Sequence, residues 1–213
     1  MNAHPSPTCH YDGSAVTGTD WSVLTEIFHP EINLALMTRR VPTAVETFAR
    51  ALLLARPHLQ LRAMLGPDGP VEAALPDWLL AMPGAKTWCD DLQQWVDAYR
   101  CLFEPASIGL RLHGLDDVMC PRFHVDRVPV RLVTTYLGPA TQWLRHQDAL
   151  RGDGRGPLPP QSEHAVQTMP TGAVALMKGE AWEGNEGAGL VHRSPSVPAG
   201  QQRLVLTLDW LSD

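Results

Sequence analysis

The spacing of apolar residues changes near residue 105, and this change limits the folds that are open to the chain. Before it, apolar residues recur at the spacing of one face of an α-helix. After it, they alternate with small or polar residues, as in a β-strand, where successive side chains point to opposite faces. The sequence therefore predicts a helical first part and a strand-rich second part.

Two amphipathic helices are predicted in the first part. The first begins at Thr43, which has capping-box spacing to Glu46, and ends before Pro57. The second follows Gly84 and ends at Pro105, and its apolar residues are Trp88, Leu92, Trp95, Val96, Tyr99, Leu102 and Phe103. Such a stripe is typical of core packing. An exposed face of this helix is a candidate interface for a homodimer.

Short strands are predicted in the second part, over residues 108–112, 128–137, 141–144, 173–177 and 204–210. No helical pattern separates them, which favours an antiparallel barrel or sandwich. We therefore predict an α+β fold, in which N-terminal helices buttress a jelly roll in the C-terminal half. Residues 1–19 are expected to be a flexible N-terminus. Residues 20–213 are expected to form a single domain, mainly helical over 20–105, with the β-barrel core over 106–213.

Composition and charge narrow the classes of function. A chain of 213 residues, 44% of them hydrophobic, is long enough to bury a core. Its formal net charge is -6 and it has no run of Lys or Arg, which argues against a nucleic-acid-binding surface. The start of the chain has no basic and apolar leader, and no later apolar run is long enough to cross a bilayer, so a cytoplasmic protein that does not bind membranes is expected. The four cysteines form no Cys-x-x-Cys pair and are expected to be reduced.

The strand-rich part contains a candidate metal site. His124 and Asp126 are two positions apart, so in a strand their side chains share one face. His192 follows at a distance that allows another strand to bring it alongside. Two imidazoles and one carboxylate form the facial triad of non-haem Fe(II) oxygenases, which leaves coordination positions open for a co-substrate and O2. We therefore predict that these three residues bind a metal and form the catalytic centre. The alternative, a core histidine bonded to Asp126, leaves His192 unexplained, and His113 is expected to be solvent-exposed or locally hydrogen-bonded.

An arginine is the candidate anchor for a co-substrate. Arg203 follows His192 in a strand-like run, and its planar guanidinium can hold a carboxylate through two charge-assisted hydrogen bonds. A 2-oxo acid would then chelate the metal at one end and meet Arg203 at the other. Arg131 and Lys178 are rival anchors, since both lie in or beside predicted strands. Tyr136 is a further candidate for hydrogen bonding to the co-substrate.

The order of His124, Asp126, His192 and Arg203 resembles that in the double-stranded β-helix 2-oxoglutarate/Fe(II)-dependent dioxygenases, where the matching residues are the metal ligands and the co-substrate anchor. More closely, the segments CPRFHVDRVPVRL (120–132), KGE (178–180) and HRSP (192–195) are similar to a bacterial domain-of-unknown-function family, DUF1826, over roughly residues 20–213. The resemblance to the dioxygenases implies a double-stranded β-helix, or jelly-roll, fold with Fe(II) and 2-oxoglutarate as cofactors. The resemblance to DUF1826 implies no settled activity, but it implies a link with zinc homeostasis, which keeps Zn(II) open as the native metal.

Three functions follow from these observations. The first is an Fe(II)/2-oxoglutarate-dependent dioxygenase that oxidises an unknown small-molecule or peptide substrate. The second is a cupin-like, non-redox Zn(II)-binding protein for metal homeostasis or hydrolysis, since two histidines and one aspartate with an open position also suit zinc. The third is a jelly-roll binding module without a metal. The metal that is retained on purification, together with turnover of 2-oxoglutarate, would separate the first two.

Overall fold

The computed structural model describes residues 9–151 and 160–211. Its α-helices are α1 (Thr43–Ala55), α2 (Asp77–Leu80) and α3 (Ala85–Phe103). Short 3-10 helices cover Trp21–Phe28, Val71–Ala74, His146–Asp148 and Glu163–Ala165. Its strands are β1 (His10–Asp12), β2 (Ala15–Gly18), β3 (Leu34–Met37), β4 (Gln60–Leu65), β5 (Ser107–Leu115), β6 (Val130–Leu137), β7 (Gln142–Trp143), β8 (Gln167–Thr168), β9 (Val174–Lys178), β10 (His192–Arg193) and β11 (Arg203–Leu211).

The strands form two sheets within the described residues. The large sheet has the order β1-β2-β3-β9-β6-β11-β5-β4, and the small sheet has the order β10-β7-β8. A bridge between His124 and His192 adds the residues around His124 to the small sheet, next to β10. From β5 onward the chain passes repeatedly between the two sheets, and only β7 and β8 among the consecutive described strands lie side by side in one sheet.

The large sheet separates two apolar cores, because its side chains alternate between its faces. In β11, Leu204, Leu206 and Leu208 pack with the helices in the main core. Val205 points the other way, into a second core between the two sheets, together with Val133 of β6. Every second residue of the central strands is therefore presented to the space where the candidate site lies.

The predicted amphipathic helices are confirmed, and both pack on the outer face of the large sheet. The apolar stripe of α3 is buried from Trp88 to Phe103. Tyr99 fixes this helix to the sheet by donating a hydrogen bond to the carbonyl oxygen of Val130 at 2.9 Å. The expected capping box is absent, because Thr43 is the first residue inside α1 and Pro42 occupies the cap position without a side-chain hydrogen bond.

The α+β class is confirmed, with several corrections in the first half of the chain. Residues 10–18, which were expected to belong to a flexible N-terminus, instead contain β1 and β2, while residues 1–8 lie outside the described residues. The part predicted to be mainly helical also contains β3 and β4. In the second half, β5, β6, β7, β9 and β11 confirm the predicted strands.

Two expectations from composition concern the whole chain. All four cysteines are free thiols. Among the helices in the described ranges, none combines the length and the apolar character that crossing a bilayer requires.

Candidate metal centre

The structure brings His124 and His192 together at one edge of the small sheet. The backbone amide of each residue donates to the carbonyl oxygen of the other, at 3.0 and 2.9 Å. Phe123 and Val191, which precede the two histidines, are buried in the same small apolar cluster. The centroids of the two imidazole rings are consequently 4.6 Å apart.

Backbone hydrogen bonds fix the orientation of both imidazoles. Nδ1 of His124 lies 2.9 Å from the carbonyl oxygen of Arg122, and Nδ1 of His192 lies 3.0 Å from that of Leu190. A carbonyl oxygen only accepts, so Nδ1 carries the proton in each ring and the Nε2 of the neutral imidazole keeps its lone pair. Histidine ligands of metals are commonly held in this way, by a hydrogen bond from the nitrogen that does not bind the metal.

Asp126 completes a cluster of three side chains that are suited to a metal ion. Its Oδ2 lies 3.3 Å from Nε2 of His192, and its Oδ1 lies 3.8 Å from Nε2 of His124. The three candidate ligand atoms are all within 4.8 Å of one another. Ligand atoms that share one metal at about 2.1 Å lie about 3.0–3.4 Å apart. The donor set therefore fits a divalent metal with little movement of the side chains.

The protonation states also fit a metal. Burial and the neighbouring His192 lower the pKa of His124, so this imidazole is neutral at neutral pH. Burial raises the pKa of Asp126, but the positive charge of Arg131, which donates to this carboxylate, helps to hold its pKa well below the usual range. A neutral imidazole and an ionised carboxylate are the forms that bind metals.

Arg131 of β6 is hydrogen-bonded to two carboxylates. Its Nη1 donates to Oδ2 of Asp126 at 2.6 Å. Its Nε and Nη2 donate to the two carboxylate oxygens of Asp209, at 2.6 and 3.0 Å, in a bidentate pair. Asp209 lies beside Arg131 in the register of β11 and is fully buried. Arg131 thus connects the sheet to Asp126 and limits the positions that this carboxylate can take.

Arg203 of β11 is buried without an acidic partner. Only 2% of its surface is exposed. Its Nη1 and Nη2 donate to the hydroxyl oxygens of Ser194 and Thr141, at 3.2 and 3.0 Å, and its Nε has no partner within the described residues. No ion pair joins it to a carboxylate in that part of the chain. Burial lowers the pKa of Arg203 to about 10, so the guanidinium is still charged at neutral pH.

Both histidines and Arg203 line one cavity between the two sheets. Its volume is about 90 Å³, several times what one water molecule needs. Arg131 also lines it, as do Thr141 and Ser194, the two hydroxyl partners of Arg203. The cavity therefore joins the candidate metal ligands to the buried cation.

Two other candidate ligands of the co-substrate, Tyr136 and Lys178, lie on the face of the large sheet that packs on the helices. Tyr136 is fully buried against Trp88, and its hydroxyl donates to Oδ2 of Asp91 at 3.1 Å. The Nζ of Lys178 donates to the carbonyl oxygen of His29 at 2.8 Å. The structure brings neither Tyr136 nor Lys178 to the cavity.

Sequence reasoning missed several residues of the cavity. His113 lines it and is 9% exposed, so the expected solvent exposure is wrong, whereas the contact of its Nδ1 with Sδ of the nearby Met119 agrees with the expected local hydrogen bonding. The alternation of β5 could have predicted this position. Leu110 and Leu112 pack in the main core, so His113, at an odd-numbered position, points to the opposite face, toward the cavity. Thr141 and Ser194 carry no comparable signal, because hydroxyl side chains are common beside turns.

Comparisons in sequence identify a family but no activity. Residues 18–209 match the family described as "Protein of unknown function (DUF1826)". No functionally curated protein matches the chain in sequence.

Comparisons in structure identify distant relatives in fold. The chain is similar to a dioxygenase for auxin oxidation from rice, with 12% identity, 84% of this chain and 74% of that chain covered, and a TM-score of 0.50. It is similar to a C-terminally truncated protein from Neurospora crassa in its apo form, with 12% identity, 90% and 86% covered, and a TM-score of 0.50. It also matches a prolyl-4-hydroxylase from Pseudomonas putida, with 15% identity, 91% and 98% covered, and a TM-score of 0.48. At these identities, the first two show a shared fold.

Proposed function

We propose that this chain, which belongs to the DUF1826 family of proteins of unknown function, is a non-haem Fe(II)/2-oxoglutarate-dependent dioxygenase. The observation that carries the proposal is a pairing within one cavity. Both histidines of a His-Asp-His cluster that fits a divalent metal line the same cavity as Arg203, a buried cation that has no carboxylate partner in the described residues. A metal site next to an unpaired guanidinium suits a co-substrate that carries a carboxylate.

The topology supports a double-stranded β-helix as the core of the fold. The central strands of the large sheet have the order β9-β6-β11-β5. The small sheet begins with the residues around His124 and continues in the order β10-β7-β8. From β5 onward the chain alternates between the two sheets except at β7 and β8, which are consecutive strands of the small sheet, and this is the winding that the fold requires. The similarity in fold to a rice protein named as a dioxygenase agrees with this proposal.

His124, Asp126 and His192 would hold the metal. Their geometry leaves one side of the cluster open toward the cavity, where a co-substrate has access. When bound, Fe(II) together with 2-oxoglutarate and O2 supplies the oxidising power for the reaction. The residues of this chain keep both imidazoles in the metal-binding tautomer and hold Asp126 ionised beside them.

Arg203 would bind the distal carboxylate of 2-oxoglutarate. Burial strengthens its electrostatic attraction for an anion, because the effective dielectric constant is lower than in water. Thr141 and Ser194 hold the guanidinium in place while leaving its Nε without a partner. Arg131 is a positioning residue in this proposal, since its hydrogen bonds already go to Asp126 and Asp209.

A Zn(II) protein is the second candidate, because the same two histidines and one aspartate suit zinc. In that case the open position of the metal would hold a water molecule, with hydrolysis or metal storage as the function. The buried Arg203, which has no carboxylate partner within the described residues, favours the first proposal, since a zinc store has no need of an anion site beside the metal.

The visible spectrum under anaerobic conditions tests the proposal. Purified protein receives stoichiometric Fe(II) and then 2-oxoglutarate, and a weak charge-transfer band is expected only with both. His192→Ala should lose the band by losing the metal. Arg203→Gln should keep the metal and require about tenfold or more 2-oxoglutarate, the loss expected for a hydrogen-bonded charge pair. Arg62→Gln, which removes the same charge from an exposed position in β4, should behave as the wild type.

Two outcomes would contradict these assignments. Equal loss of metal in His192→Ala and Arg203→Gln would mean that Arg203 supports the metal site rather than the co-substrate. Tight retention of Zn(II), with no band after Fe(II) and 2-oxoglutarate are supplied, would replace the dioxygenase with the zinc protein.

A further inference from the structure

The cavity is lined by positive charge although the chain as a whole is acidic. The formal net charge is -6. Yet the described residues that line the cavity include four arginines, at 111, 131, 193 and 203, and no aspartate or glutamate. A cleft lined by charge of one sign focuses the field and raises the local concentration of counter-ions. This cavity therefore attracts anions.

Arg111 shares its acidic partner with Arg131. The carboxylate nearest to it belongs to Asp209, whose Oδ2 lies 3.4 Å from Nη1 of Arg111. That distance is longer than a normal hydrogen bond, and Asp209 already accepts two short bonds from Arg131. Arg193 lies at the same distance, 3.4 Å, from the exposed Glu163, but it does not share this carboxylate with another arginine in the described residues, and it also donates to Gln142.

The charges around the cavity leave one positive charge in excess. The guanidiniums of Arg111, Arg131 and Arg203 face two carboxylates, those of Asp126 and Asp209. A divalent metal and the dianion of 2-oxoglutarate would cancel each other and leave this excess unchanged. A further anionic group would neutralise it, and within the described residues Arg111 is the cation whose carboxylate is shared with Arg131.

His113 offers an unpaired polar group beside Arg111. It follows Arg111 by two positions in β5, so the two side chains share the face that lines the cavity. His113 is 9% exposed, its Nδ1 lies 3.1 Å from Sδ of Met119, and its Nε2 is buried with no partner among the described residues. A buried nitrogen without a partner costs about 1–3 kcal/mol, a cost that a bound ligand removes.

The protonation state of His113 suits an anion. Burial lowers its pKa, and the positive charges of Arg62, Arg111 and Arg203 lower it further. The imidazole is therefore neutral at neutral pH and carries one N–H, which the weak acceptor Sδ of Met119 keeps on Nδ1. For Nε2 to donate to a bound anion, the ring must take the other tautomer and give up this weak contact.

We propose that Arg111 and His113 form a second anion-binding subsite, which binds a carboxylate or phosphate group of the substrate. This inference rests on the proposed function, in which Arg203 is occupied by 2-oxoglutarate. The register separates the two subsites, because Arg203 lies opposite Leu115 and Arg111 lies opposite Thr207. Four residues of strand correspond to about 13 Å. Arg111 is thus placed toward the Arg131 and Asp209 end of β11, near the candidate metal ligands.

A titration with inorganic phosphate tests the subsite. The Nε–Hε signals of the arginines in ¹⁵N-labelled protein report Arg111 and Arg203 separately, once each is assigned by its glutamine variant. Phosphate is expected to shift the Arg111 signal, and Arg111→Gln should weaken phosphate binding by about tenfold or more. Arg62→Gln is the matched control, since Arg62 lies opposite Arg111 on β4 but does not line the cavity. It should change the affinity by less than about twofold, as expected for an exposed charge.

Two conservative variants distinguish loss of the subsite from loss of the folded structure. Arg111→Lys keeps the charge but loses the planar fork, so it should bind phosphate with an affinity between those of the wild type and Arg111→Gln. His113→Phe keeps the ring and loses the N–H donor, so it should weaken phosphate while the thermal melting curve still shows a folded protein.

The outcomes separate this inference from the proposed function. Phosphate binding that depends on Arg203 and not on Arg111 would overturn the subsite and leave the dioxygenase proposal intact. Equal weakening in Arg111→Gln and Arg62→Gln would also overturn it, since only general electrostatics would be at work. Phosphate binding that depends on Arg111, in a protein that gives no band with Fe(II) and 2-oxoglutarate, would support the subsite and contradict the proposed function.

Discussion

Gly179 lies directly against the segment that carries Asp126, and this contact offers a sharp test of the candidate site. A Cβ atom at position 179 would lie 2.1 Å from the carbonyl oxygen of Val128 and 2.6 Å from that of Asp126, whereas real Cβ contacts stay beyond 3.0 Å. The two segments cannot simply separate, because Gly179 donates to the carbonyl oxygen of Pro129 and Glu180 donates to that of Asp126, both at 2.8 Å.

The variant Gly179→Ala should therefore displace Asp126. Relief of the contact requires a shift of about 1 Å, while metal–ligand distances tolerate only about 0.2 Å. We expect metal affinity to fall by about 10- to 100-fold, as for other losses of support to a ligand. Overpacking of this kind costs about 1–3 kcal/mol of folding free energy. For a chain of this size that lowers the melting temperature by about 2–12 °C, which leaves a folded protein for the assay.

Competition with a chromophoric chelator measures the metal affinity of Gly179→Ala. Gly66→Ala is the matched control, because its Cβ would meet only the carbonyl oxygen of Asp68, at 3.8 Å. A folded Gly179→Ala protein with the metal affinity of the wild type would refute the reasoning. It would mean either that Asp126 is not a ligand or that this contact does not set its position.

Three further predictions concern residues that support the site or lie away from it. Arg131→Met should lower the free energy of unfolding in denaturant by about 3–5 kcal/mol, because it leaves the buried carboxylate of Asp209 without its bidentate partner, and an unchanged value would contradict that pairing. Tyr136→Phe should cost about 1 kcal/mol through loss of its bond to Asp91, with unchanged metal and 2-oxoglutarate affinities in the spectroscopic titration; weaker co-substrate binding would return Tyr136 to the site. Burial lowers the pKa of Lys178 from 10.5 to about 8. At a pH between these two values, Lys178 is protonated in the unfolded chain and has lost its proton in the folded chain. The free energy of unfolding of the wild type, relative to Lys178→Met, should then rise by about 1–3 kcal/mol from pH 7 to pH 10.5, after allowance for solvent screening, and a flat difference in denaturant melts would contradict the shifted pKa.

Alternation of apolar residues was sufficient to predict the central strands. In β5, β6 and β11 one face packs on the helices and the other on the second sheet, so the pattern of period two survives in the sequence. The strand β3 gave no such signal, because all four residues of Leu34–Met37 are buried. A short, wholly apolar run is compatible with either a strand or a buried helix. Its pairing with β9, which lies far along the chain, decides the matter in the folded protein.

The same alternation limits which candidates could have been co-substrate ligands. Arg131 and Tyr136 are five positions apart in β6, and an odd spacing places side chains on opposite faces of a regular strand. Lys178 likewise follows Met177, which lines the cavity, and so faces the helices. Once the strands were assigned, the sequence was therefore sufficient to exclude Tyr136 and Lys178 from the cavity face. The tautomers of His124 and His192 could not be predicted from the sequence, because they depend on carbonyl groups that only the folded backbone brings into place.

The two buried arginines of the cavity differ in a way that sequence alone does not reveal. Arg131 and Arg203 both lie on central strands of one sheet and both point between the sheets. Arg131 has two carboxylate partners, so its burial is compensated within the fold. Arg203 has two hydroxyl partners and an unpaired Nε within the described residues, so the cost of removing its charge from water is not recovered there. A fold that is marginally stable keeps such a cation at the expense of its own stability. The missing compensation is therefore expected from a bound anion, and this is why Arg203, rather than Arg131, is assigned to the co-substrate.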